Sequence, residues 1–529
     1  MGVSLAAVVL TAFMIPLLWR LLLLLPSTMM PLSPRDDGRR PHPSPPGLPI
    51  LGHLHLLGSL PHRSFRSLAT SYGPVMLLKL GRVPTVVVSS AAAAEEAMKT
   101  RDLAFAGRPR MLMAERLLYG CDVALAPYGN YWRQARRICV LHLLSPRRIL
   151  SFRPVREQIV ATLIGRIRAA TAAHPKGLVN LSEALIWYTN TVISWAAFGA
   201  GDYGLQGDDD GGEGLRRVFA DFMELIPTPT MREIAPWLGW VDTLTGLEAK
   251  TKRTFEVLDS LLERVIEEHR RQRQGGRRVE DGQNDHHDFV DVLLDVAEMD
   301  KQDGFQLGMN NMKAIILDMF VGGTDTSYMV LEWAMAELMN HPHQLHKLQG
   351  EIRASVGGAD HVSEDHLGAM PYLKAVISET LRLQTPGPLL VPRETTEDTE
   401  LLGYHIPART RVVINAWAIG RDLSTWDRAE EFVPERFIDT PVDYSKVGQD
   451  FRFLPFGAGR RGRPGAAFAA PTTELALANL LFHFDWEILA DGRMGVGASS
   501  SSLDMTEVYG LSVRLKTPLL LVAKPYYGQ

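Results

Sequence analysis

Three apolar stretches dominate the hydrophobic pattern. Val3 to Leu25 is almost wholly apolar, with Arg20 its one charge. At about 1.5 Å per residue it is long enough to cross a hydrocarbon core of about 30 Å. A cleaved signal peptide is the competing reading, but no convincing small-residue cleavage motif follows the run. The flank Arg35, Arg39 and Arg40 favours a cytosolic position for what comes next. In mid-chain, Met309 to Met339 is apolar on nearly every face around Ala314 to Val321, the pattern of a helix threaded through a large core. Gly322-Gly323-Thr324-Asp325-Thr326-Ser327 interrupts it, and two glycines followed by hydroxyl and carboxylate side chains predict a local bulge or kink. Ala466 to Phe484 forms the third apolar helix.

Between these stretches the pattern is mainly helical with a minor sheet. Residues 41–52 are too rich in proline for a helix and predict a stiff extended spacer. Helix is expected over Ser64–Ser71 and Ala91–Met98, with Val75–Leu80 and Thr85–Ser89 paired as strands across a Gly81-Arg82 turn. Phe105–Pro127 reads as an irregular loop, and helix returns at Trp132–Leu144 and as a pair between Pro154 and Phe198. Asp208–Glu213 reads as an acidic surface loop, and Gly275–His287 as a polar, loosely ordered segment. Phe219–Trp240, broken by three prolines, predicts a mobile cap, or else an ordinary irregular connection. Leu247–Gln274 and Pro371–Leu383 are further helices, and Tyr404–Trp417 alternates turn and strand character.

Composition narrows the function. Over 529 residues the net charge is -4, which gives no overall drive toward nucleic acid. Two cysteines, Cys121 and Cys139, exclude a disulfide framework and fit a reducing compartment. The candidate chemistry lies in Phe453-Leu454-Pro455-Phe456-Gly457-Ala458-Gly459-Arg460-Arg461-Gly462-Arg463-Pro464-Gly465-Ala466, a glycine- and arginine-rich loop opening onto a helix N-terminus. Such a loop is an anion cradle.

This loop resembles the haem-binding sequence of cytochromes P450, Phe-Gly-x-Gly-x-Arg-x-Cys-x-Gly, with Phe456, Gly457, Gly459, Arg461 and Gly465 in register. Where that family has its axial cysteine, this chain has Arg463. The family's thiolate ligates haem iron and favours O–O cleavage. A guanidinium has no lone pair to offer and stays protonated, so Arg463 cannot ligate. Further stretches match in family order: Tyr131-Trp132-Arg133-Gln134-Ala135-Arg136, Gly322 to Ser327, Glu379-Thr380-Leu381-Arg382, Pro388 to Glu394, and Phe432 to Phe437. Gln384 and Thr385 stand where many relatives have His-Pro.

The resemblance is closest to plant A-type microsomal members. It implies a cytochrome P450 fold behind an N-terminal membrane anchor (1–34), a proline-rich hinge (35–60) and a haem monooxygenase domain (61–529). It implies haem b contacted by Trp132, Arg136, Arg393, Phe456 and Arg461, proton delivery through Asp325 and Thr326, and a structural triad of Glu379, Arg382 and Arg436. Gly322, Gly323, Leu390, Val391, Val508 and Tyr509 are the implied substrate-pocket positions. The implied reaction oxidises a small apolar substrate with O2 and electrons from an NADPH-cytochrome P450 reductase at the endoplasmic reticulum membrane. Arg463 is expected to disable that reaction. The alternative is a catalytically silent paralogue or allele that acts as a membrane-bound interaction protein.

Overall fold

The structure, a computed structural model, describes residues 42–199, 210–274, 287–299, 307–489 and 502–527, with side chains of 210–216 omitted. The apolar segment 3–25, its basic flank and nearly all of Gly275–His287 lie outside the described residues. Helices α1 (Asn130–Ile138), α2 (Leu181–Phe198), α3 (Leu247–Gln274), α4 (Met309–Asn340), α5 (Pro371–Leu383) and α6 (Ala466–His483) carry the core. Strands β1 (Val75–Leu80), β2 (Val83–Val88), β3 (Arg393–Glu394) and β4 (Arg411–Ile414) form a sheet ordered β1-β2-β4-β3. β1 and β2 pair antiparallel, β2 and β4 parallel, and β3 closes the edge antiparallel to β4.

α4 is the axis of the molecule, because its sequence is apolar all round and every face must be covered. It packs on α2, α5 and α6, and Ala314, Leu331, Ala334 and Leu338 lose all contact with solvent. Among the described residues it alone is long and apolar enough to cross a membrane, yet most of it lies inside the protein. The expected interruption at Gly322–Ser327 does not occur. Thr326 Oγ1 donates to the Gly322 carbonyl at 2.6 Å, one turn back, so a helix-weakening residue bonds within the helix. Gly323 is a packing residue: a Cβ there would lie 2.6 Å from Cδ1 of Ile193 on α2.

A buried carboxylate ties α4 to its neighbours. Glu332 accepts from Ser182 Oγ of α2 at 2.5 Å, from Tyr328 OH at 2.6 Å and from Leu515 N at 3.4 Å. Ser182 Oγ accepts in turn from Leu519 N at 2.8 Å, and Trp333 Nε1 donates to Val513 O at 3.0 Å. The C-terminal hairpin Glu507–Tyr509/Val513–Leu515 is thereby fixed to the core.

Four local expectations change. Residues 42–60 are a docked strap: Leu77 N donates to Pro43 O, His53 N to Lys79 O, and Gly81 N to Leu51 O, all along β1 and its turn. Leu112–Leu117 is a helix within the stretch read as irregular, its first amide bonded to the Glu233 carboxylate at 2.9 Å. Asp210 already belongs to a helix reaching Leu225, so from that residue on the acidic stretch is helical, and Asp208 and Asp209 lie outside the described residues. The proline-broken cap contains short helices, Met231–Ile234 and Trp240–Leu244, the first closed by a reciprocal Thr230–Glu233 cap.

Replacing Glu332 with alanine would strand the hydroxyls of Ser182 and Tyr328 in an apolar interior, at roughly 1–3 kcal/mol for each unsatisfied group. The Glu332→Ala chain is expected to show a clearly lower thermal unfolding midpoint by circular dichroism, with Glu332→Gln intermediate.

Candidate functional site

The loop between Phe453 and Gly465 is shaped by left-handed glycines. Gly457 has φ 70° and Gly459 φ 67°, and a Cβ on Gly459 would sit 2.1 Å from the Met98 carbonyl oxygen. Only glycine permits that approach. The chain then tightens through Gly459–Arg461, and Arg463 N donates to Phe456 O at 3.0 Å before α6 begins. Phe456 and Arg463 thus border a small cavity, whose other walls include Thr326 and Ser327 of α4, Ile377 and Leu381 of α5, and Thr473 of α6.

Beside the cavity the structure gathers a cluster of guanidinium groups. Arg461 donates to Ala106 O and Ala126 O, both at 2.8 Å, and lies 4.1 Å from the Trp132 ring centroid. Arg136 donates to Gly462 O at 2.6 Å and also faces Trp132, whose Nε1 is held by Val123 O at 2.9 Å. Arg393 donates to Ala458 O at 2.7 Å and pairs with Asp102 at 3.3 Å. Arg108, which sequence reading missed, donates to Val391 O and Pro392 O at 2.8 Å and to Ala124 O at 2.9 Å. Burial first, then neighbouring positive charge, lowers the pKa of Arg108 and brings that of Arg461 down to about 9. One guanidinium nitrogen, Arg461 Nη1, is buried without a hydrogen-bond partner. A cluster short of negative charge with an orphan donor is a ready anion site.

Asp122 is the nearby counter-charge. Burial raises its pKa to about 6, opposed by the amide of Leu125, which donates at 2.6 Å, and by Arg108. Asp318 on α4 accepts from Val123 N at 2.5 Å and Ala124 N at 3.3 Å, and burial, then Asp122, raises its pKa.

The remaining predicted residues divide. Glu379, Arg382 and Arg436 come together: Arg382 Nε and Nη2 bind the Glu379 carboxylate at 2.7 and 2.8 Å, and Arg436 Nε reaches it at 3.1 Å. Thr326 borders the cavity, whereas Asp325 accepts from Ser512 on the C-terminal hairpin and burial raises its pKa. Gly322, Gly323, Leu390, Val391, Val508 and Tyr509 are not among the cavity's lining residues. Gly323 packs on Ile193, the Val391 carbonyl serves Arg108, and Tyr509 stacks on His62 with centroids 6.1 Å apart. Neither Cys121 nor the fully buried Cys139 borders the cavity, and burial raises both thiol pKa values.

This combination of a central buried helix, a buried Glu-Arg-Arg triad and a late glycine loop defines a class. The chain belongs to the cytochrome P450 family, whose profile matches residues 41–496. It is 48% identical over 480 residues to Cytochrome P450 71A1 of Persea americana, covering 89% of this chain and 91% of that one. It is 44% identical to Cytochrome P450 71A25 of Arabidopsis thaliana, covering 97% and 99% respectively. A zebra fish cytochrome P450 solved with progesterone superposes with a TM-score of 0.71 at 24% identity, over 88% of this chain and all of that one. The chain is thus similar to plant 71-type cytochromes P450, within a family of haem monooxygenases.

The raised Asp122 pKa has a definite sign for stability. Between about pH 4 and 6 the native state holds a proton that the unfolded chain has released, so stability falls as pH rises through that window. Asp122→Asn is expected to flatten this decline, by up to roughly 2–3 kcal/mol, read from unfolding midpoints at successive pH values. An unchanged profile would remove Asp122 from the account.

Proposed function

We propose that this chain has the architecture of a plant specialised-metabolism monooxygenase, built for a small apolar substrate, O2 and electrons from an NADPH-cytochrome P450 reductase, and that Arg463 disables it. The observation that carries the reading is the setting of Arg463. Its side chain lies against Gly387, where a Cβ would lie 2.5 Å from Nη2. Surrounding protein lowers its pKa through desolvation alone.

Fit to haem b is therefore split. The cluster of Arg108, Arg136, Arg393 and Arg461, two of which face Trp132, with the orphan Arg461 Nη1, suits the two carboxylates of a porphyrin. The metal centre is not suited: the position at the end of the glycine loop offers a cation, and no sulfur borders the cavity. A desolvated cation facing a ferric centre adds repulsion where the family has an anion. Poor haem retention follows, and with it loss of the roles assigned to Asp325 and Thr326. The intact triad and core favour a folded, silent protein as the second reading, one that persists at the membrane as a partner of active relatives.

Membrane association belongs to the same proposal. Leu48, Ile50 and Leu51 of the strap and Trp237, Trp240 and Leu244 of the cap are exposed. Both segments meet the β1–β2 turn, the strap through Leu51 O and the cap through Ile234, which packs on Gly81. Exposed apolar surface of this kind supports contact with a bilayer.

Purified protein, reduced and exposed to carbon monoxide, is expected to show no thiolate-type band near about 450 nm, and Arg463→Cys to restore both that band and haem content. A band in the unaltered chain would refute the disabled reading. Failure of Arg463→Cys to gain haem would place the fault elsewhere.

A further inference from the structure

The loop 121–126 is held from two sides. Asp318 of α4 accepts from Val123 N at 2.5 Å and from Ala124 N at 3.3 Å, both through Oδ2. The carbonyls of the same loop are acceptors for the guanidinium cluster and its indole: Ala124 O for Arg108 Nε at 2.9 Å, Ala126 O for Arg461 Nη2 at 2.8 Å, and Val123 O for Trp132 Nε1 at 2.9 Å. Val123 and Ala124 therefore each donate to α4 and accept from the cluster, so release at Asp318 loosens the acceptors as well. Ala124 is exposed and Asp318 half-buried, which gives water access to the fastening point.

The fastening sets two acids against each other. Asp122, next to Val123, is a buried carboxyl whose Oδ2 accepts from Leu125 N, and its charge disfavours a charge on Asp318. No cation neutralises Asp318 among the described residues: Lys313, the only cation in the α4 sequence, is committed to Asp259 at 2.6 Å and Glu263 at 3.3 Å. Cys121, Tyr131 of α1 and Cys139 at its end also face the pair, and burial above all keeps both thiols and the phenol neutral. Arg108 and Arg461 favour a charge on Asp122. The two carboxyls thus accommodate one charge and one proton, and two charges poorly. Asp318 Oδ1 has no hydrogen-bond partner among the described residues, which leaves it to carry the proton while Oδ2 serves the amides.

We propose that Asp122 and Asp318 form a proton-operated latch: a proton held between them keeps the loop 121–126 on α4, and its loss lifts the loop and withdraws the carbonyl acceptors from Arg108, Arg461 and Trp132. The closed loop holds the proton more tightly than the open one, in which both carboxyls are hydrated, so rising pH favours opening. An ionised Asp318 would accept the two amides more strongly, but desolvation and the charge of Asp122 act together against it. The latch stands on the bonds of this loop and does not depend on the reading of Arg463.

The test is amide hydrogen exchange on the full-length chain in detergent, at successive pH values between about 5 and 9. A peptide spanning 122–126 is compared with one from the middle of α4, and protection is corrected for the intrinsic rise of exchange with pH. In the unaltered chain, protection of the loop amides is expected to fall at least about tenfold across that range, while the α4 peptide stays protected. Asp318→Asn keeps an oxygen for the two amides and carries no charge, so its loop is expected to stay protected at every pH. Asp318→Ala removes the acceptor, and its loop is expected to exchange fast throughout. Asp122→Asn removes the opposing charge from the other side and is expected to flatten the profile as Asp318→Asn does, which keeps the test open should one variant fold poorly. A flat profile in the unaltered chain, a decline shared by the α4 peptide, or an undiminished decline in the folded asparagine variants would each overturn the latch, whatever the carbon monoxide spectrum shows.

Discussion

The buried carboxylate of Glu379 is the constraint on which the back of the molecule depends. It has no solvent contact, and it holds Arg382 through two nitrogens while accepting from Arg436 and from Val433 N at 2.7 Å. Arg382 spends its remaining donors on Gly420 O, Ala429 O and Glu431 O. The result is a polar knot in which each charge is paired and each donor satisfied, the condition under which buried ions are tolerated. It fixes the segment 420–436 against α5, and that segment leads directly into the glycine loop.

Arg463 is the counter-example a short distance along the chain. The same side chain that closes the knot at Arg382 is left open at Arg463, where desolvation acts with no compensating charge. The difference lies in what each neighbourhood supplies. Around Arg382 the backbone turns three carbonyls inward, whereas the residues that line the small cavity with Arg463 are mostly apolar. The cluster of Arg108, Arg136, Arg393 and Arg461 sits between these extremes, mostly satisfied by carbonyls yet short of negative charge.

Much of the fold was legible because its strongest signals are local. The bounds of α3 and α5 and of strand β1 follow from apolar periodicity ended by glycine, glutamine or a turn, and they stand where the sequence puts them. What was not legible depends on partners far away in sequence. Gly322–Ser327 reads as a break, because nothing local reveals that Ile193 fills the space over Gly323 or that Thr326 bonds one turn back. Spacing of three residues between Glu379 and Arg382 looks like an ordinary surface pair, and only tertiary packing makes it fully buried. Arg108 carries no periodic signal. The one clue was its placement between Gly107 and Pro109: a Cβ on Gly107 would lie 2.4 Å from Glu394 O, so the glycine lets that loop close on the sheet edge and delivers Arg108 next to Arg393. Val508 and Tyr509 followed a family pattern, and their place in the structure comes from the anchoring of the hairpin on Glu332 and Asp325.

The β1–β2 turn has a mechanical consequence. Gly81 gives its amide to Leu51 and its open face to Ile234, so a single left-handed residue bears on both the strap and the cap. The two apolar rims therefore share one support, and that support lies on the sheet rather than in the helical core.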